Sequence, residues 1–170
     1  VLGSYNLPCL AYKYMAPGHN SALIDDDKMF LVYHQRFSTG NEGHELRVHQ
    51  MLMNENGWPC VLPYEYTGET VADGYKKDEV AGTYYMIKQD PNDNTSAVEY
   101  NAVALNDDGT LSGYLKGSWE MKDNSIYLSI KCGTATYQGV ICEMKDEAAT
   151  DCMAISLIGE NNCSLLGVKY

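Results

Sequence analysis

Along this chain apolar and polar positions follow a short beat, and helical periodicity is nearly absent. Turn signals recur every eight to twelve residues, the spacing expected of an all-β sandwich, barrel or propeller. The run MFLVYH (29 to 34) is continuously apolar, which predicts a strand covered on both faces. Before it, SALI should form a hairpin with MFLVYH around a tip at Asp25, Asp26 and Asp27. ELRVHQMLMN (45 to 54) should pair with WPCVL (58 to 62) through Asn56-Gly57, a dipeptide suited to a type I′ turn. Pro59 lacks a ladder donor and confines the return strand to an edge or to its first residues.

Residues 63 to 79 are polar, carry Gly68, Gly74 and a Lys pair, and show little periodicity. A division therefore falls there, into segments 1–65 and 66–170. Hairpins follow. AVEYNAVAL meets TLSGYLKGSW across residues 106 to 109, and SWEMK meets SIYLSIKC across Asp123-Asn124. In SIYLSIKC, Ile126, Leu128, Ile130 and Cys132 share one face, while Tyr127, Ser129 and Lys131 share the other. With TYQGVICEMK, DCMAISLIG and SLLGVK, some six or seven antiparallel strands can close on themselves into a small barrel or sandwich.

Composition refines this picture. In 170 residues, 45% apolar content suffices for a packed core, and fourteen Tyr against two Phe suit sheets. A net charge of −11 opposes a nucleic-acid partner, since phosphate binding needs a basic surface. No apolar run approaches the ~18 residues of a membrane span. The chain opens at Val1, as a mature or cut product would. Six cysteines contain no CxxC pair, which disfavours zinc and thioredoxin-type chemistry. Cys132, Cys142, Cys152 and Cys163, spaced by ten, ten and eleven, read as buried thiols on neighbouring strands; disulfides are possible but not indicated.

The two segments differ in chemistry. Residues 1–65 hold four basic and seven acidic residues, and 66–170 hold eight Lys and sixteen acids. Every imidazole and guanidinium lies in the first: His19, His34, His44, His49, Arg36 and Arg47. There is no GxSxG, HExxH or Gly-rich phosphate loop around them. The stretch DPNDNTSAVEYN (90 to 101) imitates a calcium loop, but Thr95 stands at the turn-glycine position and Asn101 at that of the closing Glu. It reads as a polar turn. His44 and His49 should face opposite ways on a strand, whereas His34 and Arg36 share a face. His19 follows Pro17-Gly18 and precedes Asn20 and Ser21, a setting in which a neutral imidazole can serve as a metal ligand.

YMAPGHNSALIDDDKMFLVYHQRF, followed by GHELRVHQMLMNENGWPCVLPYEYTGET, resembles the end of the catalytic domain of glycoside hydrolase family 43, in particular the endo-1,5-α-L-arabinanases. DGTLSGYLKGSWEMKDNSIYLSI and the terminal LLGVK are similar to the C-terminal β-barrel of those enzymes. The resemblance implies the last strands of a five-bladed β-propeller followed by an accessory barrel, in a secreted protein. It further implies inverting hydrolysis of α-1,5-linked arabinan, with a carboxylate base and a carboxylic acid roughly 6.5 to 9.5 Å apart. In the family those acids come from earlier blades. No catalytic residue is therefore expected here, Asp25, Asp26 and Asp27 included, and a companion polypeptide would carry the N-terminal blades. By position, His19 alone would carry over a family role, as the protein ligand of one calcium ion held mostly by water; Arg36 is a candidate substrate-side contact, with a structural ion pair as the alternative. Two other readings stay open: a non-enzymatic module that binds polysaccharide or braces the propeller, and a lipocalin-like carrier with a cavity inside its barrel.

Overall fold

A computed structural model describes residues 2–39, 43–93 and 96–170. Among them, twelve strands and one helical turn form two sheets. The first sheet has the order β1-β2-β3-β4, built from β1 (Tyr14–Asp25), β2 (Lys28–Phe37), β3 (His44–Met53) and β4 (Pro59–Val61). After α1 (Lys77–Val80) come β5 (Gly82–Gln89), β6 (Asn101–Leu105), β7 (Thr110–Gly113) and β8 (Gly117–Met121). The chain ends with β9 (Tyr127–Cys132), β10 (Ala135–Lys145), β11 (Asp151–Gly159) and β12 (Ser164–Lys169). β5 to β12 close into an antiparallel barrel as β12 pairs with β5. The fold is all-β as expected, and among the described residues no helix is long and apolar enough to cross a membrane.

Barrel closure needs one strand more than those hairpins supply: β5, which pairs with β12 and β6. TLSGYLKGSW runs from β7 into the start of β8, because the chain turns a corner between Gly113 and Gly117, both at positive φ (96° and 151°). A Cβ on Gly113 would stand 2.4 Å from the Ala102 carbonyl oxygen, so only glycine fits. β9 keeps the alternation read from its sequence: Leu128 and Ile130 are buried in the barrel core, with Ile126 and Cys132 packed against it.

Tyr84, Met86, Trp119, Ile130, Tyr137 and Leu157 are all buried in the barrel interior. Side chains fill the lumen, as in small barrels generally, and this corrects the carrier reading, which needs a cavity there. Val80 of α1 joins the same core, and Lys169 Nζ donates to the carbonyls of Glu79, Val80 and Ala81 at the helix end.

A second core lies between sheet and barrel. Tyr5, Leu7, Tyr14, Cys60, Leu62 and Tyr64 pack there against Val140, Cys142, Met144, Ala154, Leu166 and Val168 from the barrel's outer side. Successive residues of β10 to β12 point alternately into the two cores: Ile141 and Ile155 inward, Cys142 and Ala154 outward. These strands are therefore apolar on both faces. All six cysteines are free; five are buried or half-buried and Cys9 is exposed.

Two local expectations change. The β3–β4 connection is not a type I′ turn, which needs positive φ at both central residues. Only Gly57 is positive (77°), the Gly57 amide bonds to the Asn54 carbonyl at 2.9 Å, and the Asn54 amide bonds to the Trp58 carbonyl at 2.9 Å. This is a three-residue loop with a left-handed glycine, imposed by Asn54, whose Oδ1 accepts from the amides of Asn56 (3.0 Å) and Trp58 (2.9 Å). Because buried Asn54 also donates to the Gln138 carbonyl, Asn54→Ala should cost about 2 kcal/mol in urea unfolding. Equal midpoints would refute the anchoring role. The second change concerns MFLVYH: Phe30 and Tyr33 are buried, but Met29, Leu31, Val32 and His34 are only half-buried. Pro59 opens the edge strand β4, as its missing donor requires.

Candidate functional site

The β1–β2 ladder is regular from Asp25↔Lys28 to Ser21↔Val32, and then slips twice. Three residues of β1 oppose two of β2 between Ser21 and Gly18, and again between Gly18 and Met15. The extra residues are absorbed where His19 and Ala16 take positive φ (45° and 44°), a conformation that is uncommon for residues with a Cβ. Pro17, lying between them, cannot donate to the ladder, which is why the strand bulges there.

The bulge reorients His19. In an unbroken pleat it would point away from the face carrying His34, the partner of Gly18. Instead the two rings meet, with centroids 5.1 Å apart and Nδ1···Nδ1 3.3 Å. Gly18 makes room: a Cβ there would stand 3.1 Å from His34 Nε2. The His44 ring sits edge-on to His34 at 5.0 Å, and Arg36 Nε donates to His44 Nε2 at 2.8 Å. Thus His19, His34, Arg36 and His44 gather on one face of the sheet. Leu46 (66% exposed) and Leu23 (50%) lie on the same face.

Burial, and then the neighbouring His44, His19 and Arg36, hold His34 below the ordinary imidazole range. One Nδ1 of the pair donates and the other accepts; where His19 is the donor, its Nε2 is left bare and faces outward. One imidazole thereby sets the tautomer of the other, as outer partners of metal-binding histidines do.

His49 and Arg47 belong elsewhere. His49 is fully buried on the opposite face, as its five-residue spacing from His44 predicted, with ring nitrogens 3.1 Å from Tyr33 Oη and 2.7 Å from the Leu62 carbonyl. Arg47 donates from Nε to Tyr14 Oη (3.1 Å), pairs with Glu45 (2.9 Å) and Glu65 (3.4 Å), and lies 4.9 Å over the Phe37 ring. Its guanidinium is structural.

Asp25 pairs with Lys28 at the hairpin tip, six residues along β2 from His34, or ~20 Å at strand rise. Asp26 takes positive φ (52°) in that turn. Among the described residues no three His, Cys, Asp or Glu side chains are grouped to hold a metal ion. In the loop that imitates a calcium site, Asp90 Oδ1 accepts from the Asn92 amide at 2.9 Å, while Thr95 lies outside the described residues. The meeting of His44 with Arg36 was not foreseen from the sequence, since it depends on β2–β3 register; the Arg36–His34 spacing was the available hint.

Relatives share this arrangement of sheet and barrel. A glycoside hydrolase family 43 protein from Bacillus licheniformis superimposes with a TM-score of 0.93 at 31% identity, over 99% of this chain and 38% of that one. The endo-1,5-α-L-arabinanase of Thermotoga petrophila RKU-1 does so with a TM-score of 0.84 at 30% identity, over 94% and 36%. In sequence, the chain is 33% identical to extracellular endo-α-(1→5)-L-arabinanase 2 of Bacillus subtilis, over 99% of this chain and 37% of that protein. It is 38% identical to the extracellular endo-α-(1→5)-L-arabinanase of Thermotoga petrophila over 77% and 28%. It therefore spans less than two fifths of the length of these relatives. Residues 63–167 match the family described as the C-terminal lipocalin-like domain of glycoside hydrolase family 43, and the chain belongs to that family.

Proposed function

We propose that this chain forms the C-terminal portion of an extracellular arabinan-degrading glycoside hydrolase that cleaves α-1,5-linked arabinan with inversion. Residues 1–65 would complete a five-bladed propeller, and 66–170 would form the accessory barrel. The catalytic acids would come from polypeptide outside these 170 residues. The observation that carries this reading is the joint superposition of sheet and barrel, as one body, on the end of family 43 proteins. Secretion follows the names of the relatives.

His19 is the proposed metal ligand. Its bulged backbone, the contact of its Nδ1 with His34 Nδ1 and its exposed ring fit a single nitrogen donor aimed outward. Calcium prefers oxygen, and no carboxylate joins His19 in a ligating group among the described residues. Water and the missing polypeptide would supply the other ligands, and the bound ion would contribute fixed positive charge beside the catalytic acids. Arg36, held against His44, is the proposed substrate-side contact.

In the complete protein, His19→Ala should lower bound calcium and reduce arabinan kcat/KM at least tenfold, about 1.4 kcal/mol of barrier. Unchanged metal content together with unchanged turnover removes the assignment. A bracing role for the barrel has its own support, because its outward apolar residues are consumed in the core shared with the sheet. Failure of residues 66–170 to bind linear arabinan would agree with it.

A further inference from the structure

The chain has two tryptophans with opposite surroundings. Trp119 is buried in the barrel at 3% exposure, whereas Trp58 is 62% exposed at the far end of β3 from the imidazoles. His44 and Met53, at the two ends of that strand, are ~30 Å apart by strand rise. An exposed indole normally costs hydrophobic stabilisation, so its setting matters.

That setting is rigid and polar. The Trp58 amide and carbonyl are both bonded to Asn54, through Asn54 Oδ1 (2.9 Å) and the Asn54 amide (2.9 Å). The same loop is fastened to the barrel by Asn54 Nδ2 to the Gln138 carbonyl (3.2 Å), by Asn56 to the Gln138 side chain, and by Glu55 to Lys122 (3.1 Å). Between loop and barrel lies a cavity of about 380 Å³ lined by Asn54, Asn56, Trp58, Gln138, Glu160 and Asn162 among others. That volume falls within the range of small-molecule sites. Asn56, Glu160 and Asn162 are exposed at its rim.

We propose that this seam is a second carbohydrate-binding site, which takes a neutral oligosaccharide with one sugar face laid on Trp58 and its hydroxyls bonded to the surrounding amides and the Glu160 carboxylate. A flat indole offers apolar area to the C–H face of a furanose or pyranose at little entropic cost. Amides and a carboxylate accept and donate to hydroxyls in either sense. Glu160 and a net charge of −11 select against uronates and phosphates. At this distance from His19 the site would hold polymer rather than orient the cleaved bond. The proposal rests on the arabinan reading only for its first choice of ligand.

The test uses the complete protein and acrylamide quenching, with the contribution of Trp58 read as the difference between the protein and its Trp58→Phe variant. Saturating linear arabino-oligosaccharide should cut the quenching of Trp58 at least twofold. Trp58→Ala should weaken retention on an arabinan gel at least tenfold while leaving hydrolysis of a short soluble oligosaccharide unchanged. The double variant Glu160→Gln/Asn162→Ala, which leaves the Asn54 loop intact, should weaken retention severalfold. Protection of Trp58 by galactan or xylan but not by arabinan would uphold the site and remove the arabinan reading. Arabinan hydrolysis with no protection of Trp58 by any neutral glycan, or a Trp58 that acrylamide cannot reach, would overturn the site and leave the proposed function standing.

Discussion

Gly139→Ala should cost at least about 3 kcal/mol of folding free energy, toward the upper end of what overpacking produces. Gly139 sits in the middle of β10, paired with Leu128 of β9 on one side and with Leu157 of β11 on the other. A Cβ added there would lie 1.9 Å from the Ser156 carbonyl oxygen, 2.5 Å from Leu157 Cα and 2.7 Å from the Ser156 carbonyl carbon. All three are backbone atoms, which no rotamer change can clear. The strands would have to part, and the ladder would pull Val140 from the core shared with the sheet and Ile141 from the barrel core. At ~2–4 °C per kcal/mol for a chain of this size, the melting temperature should fall by about 6–12 °C. Gly43→Ala, where an added Cβ meets nothing within 4 Å, should stay within ~0.5 kcal/mol. Comparable stabilities of the two variants in urea titration would refute the close-approach argument.

What was legible in the sequence was local. The alternation of β9 follows from a pleat with one buried face, and the continuous apolarity of DCMAISLIG and SLLGVK reflects strands buried by the lumen on one side and by the first sheet on the other. Asp25 to Asp27 are readable as a hairpin tip because Lys28 and the apolar run follow directly. What escaped depends on contacts between residues distant in sequence or on single φ values. Asn56-Gly57 is a fair type I′ signal, and what overrides it is the side chain of Asn54, two residues earlier. The corner at Gly113 is set by the Ala102 carbonyl of the neighbouring strand. At the candidate site, Pro17-Gly18 signalled an irregularity, but the side to which His19 turns depends on two register slips against β2. The full imidazole cluster requires the β2–β3 pairing Arg36↔His44 as well. Composition and periodicity carry no trace of such a register, so His44 stands apart from the His34–Arg36 pair until the strands are aligned.

Acidification should destabilise this protein through His49 well before its carboxylates are neutralised. Burial pushes this imidazole down to about 4 from an ordinary 6.5; the hydrogen bond to the Leu62 carbonyl opposes that shift, and the charge of Arg47 adds to it. Above pH 6.5 His49 is neutral in folded and unfolded chains alike, and its burial carries no protonation penalty. As the pH falls below 6.5 the unfolded chain takes up a proton that the folded one refuses. The stability present at neutral pH is therefore lost progressively and is gone once the pH passes below about 4. The full loss is about 3 kcal/mol, with roughly 2 kcal/mol already lost at pH 5. Glutamine at this position can donate to the Leu62 carbonyl but cannot titrate, so His49→Gln should be less stable at pH 7.5 and yet show a flatter stability profile between pH 6.5 and 4. Carboxylates that titrate toward the lower end of this window are common to both proteins, and the difference between the two profiles isolates the imidazole. Parallel profiles across this window would mean that His49 becomes protonated in the folded state, and with it that the core behind the sheet admits water or a counter-charge absent from the contacts with Tyr33 and Leu62.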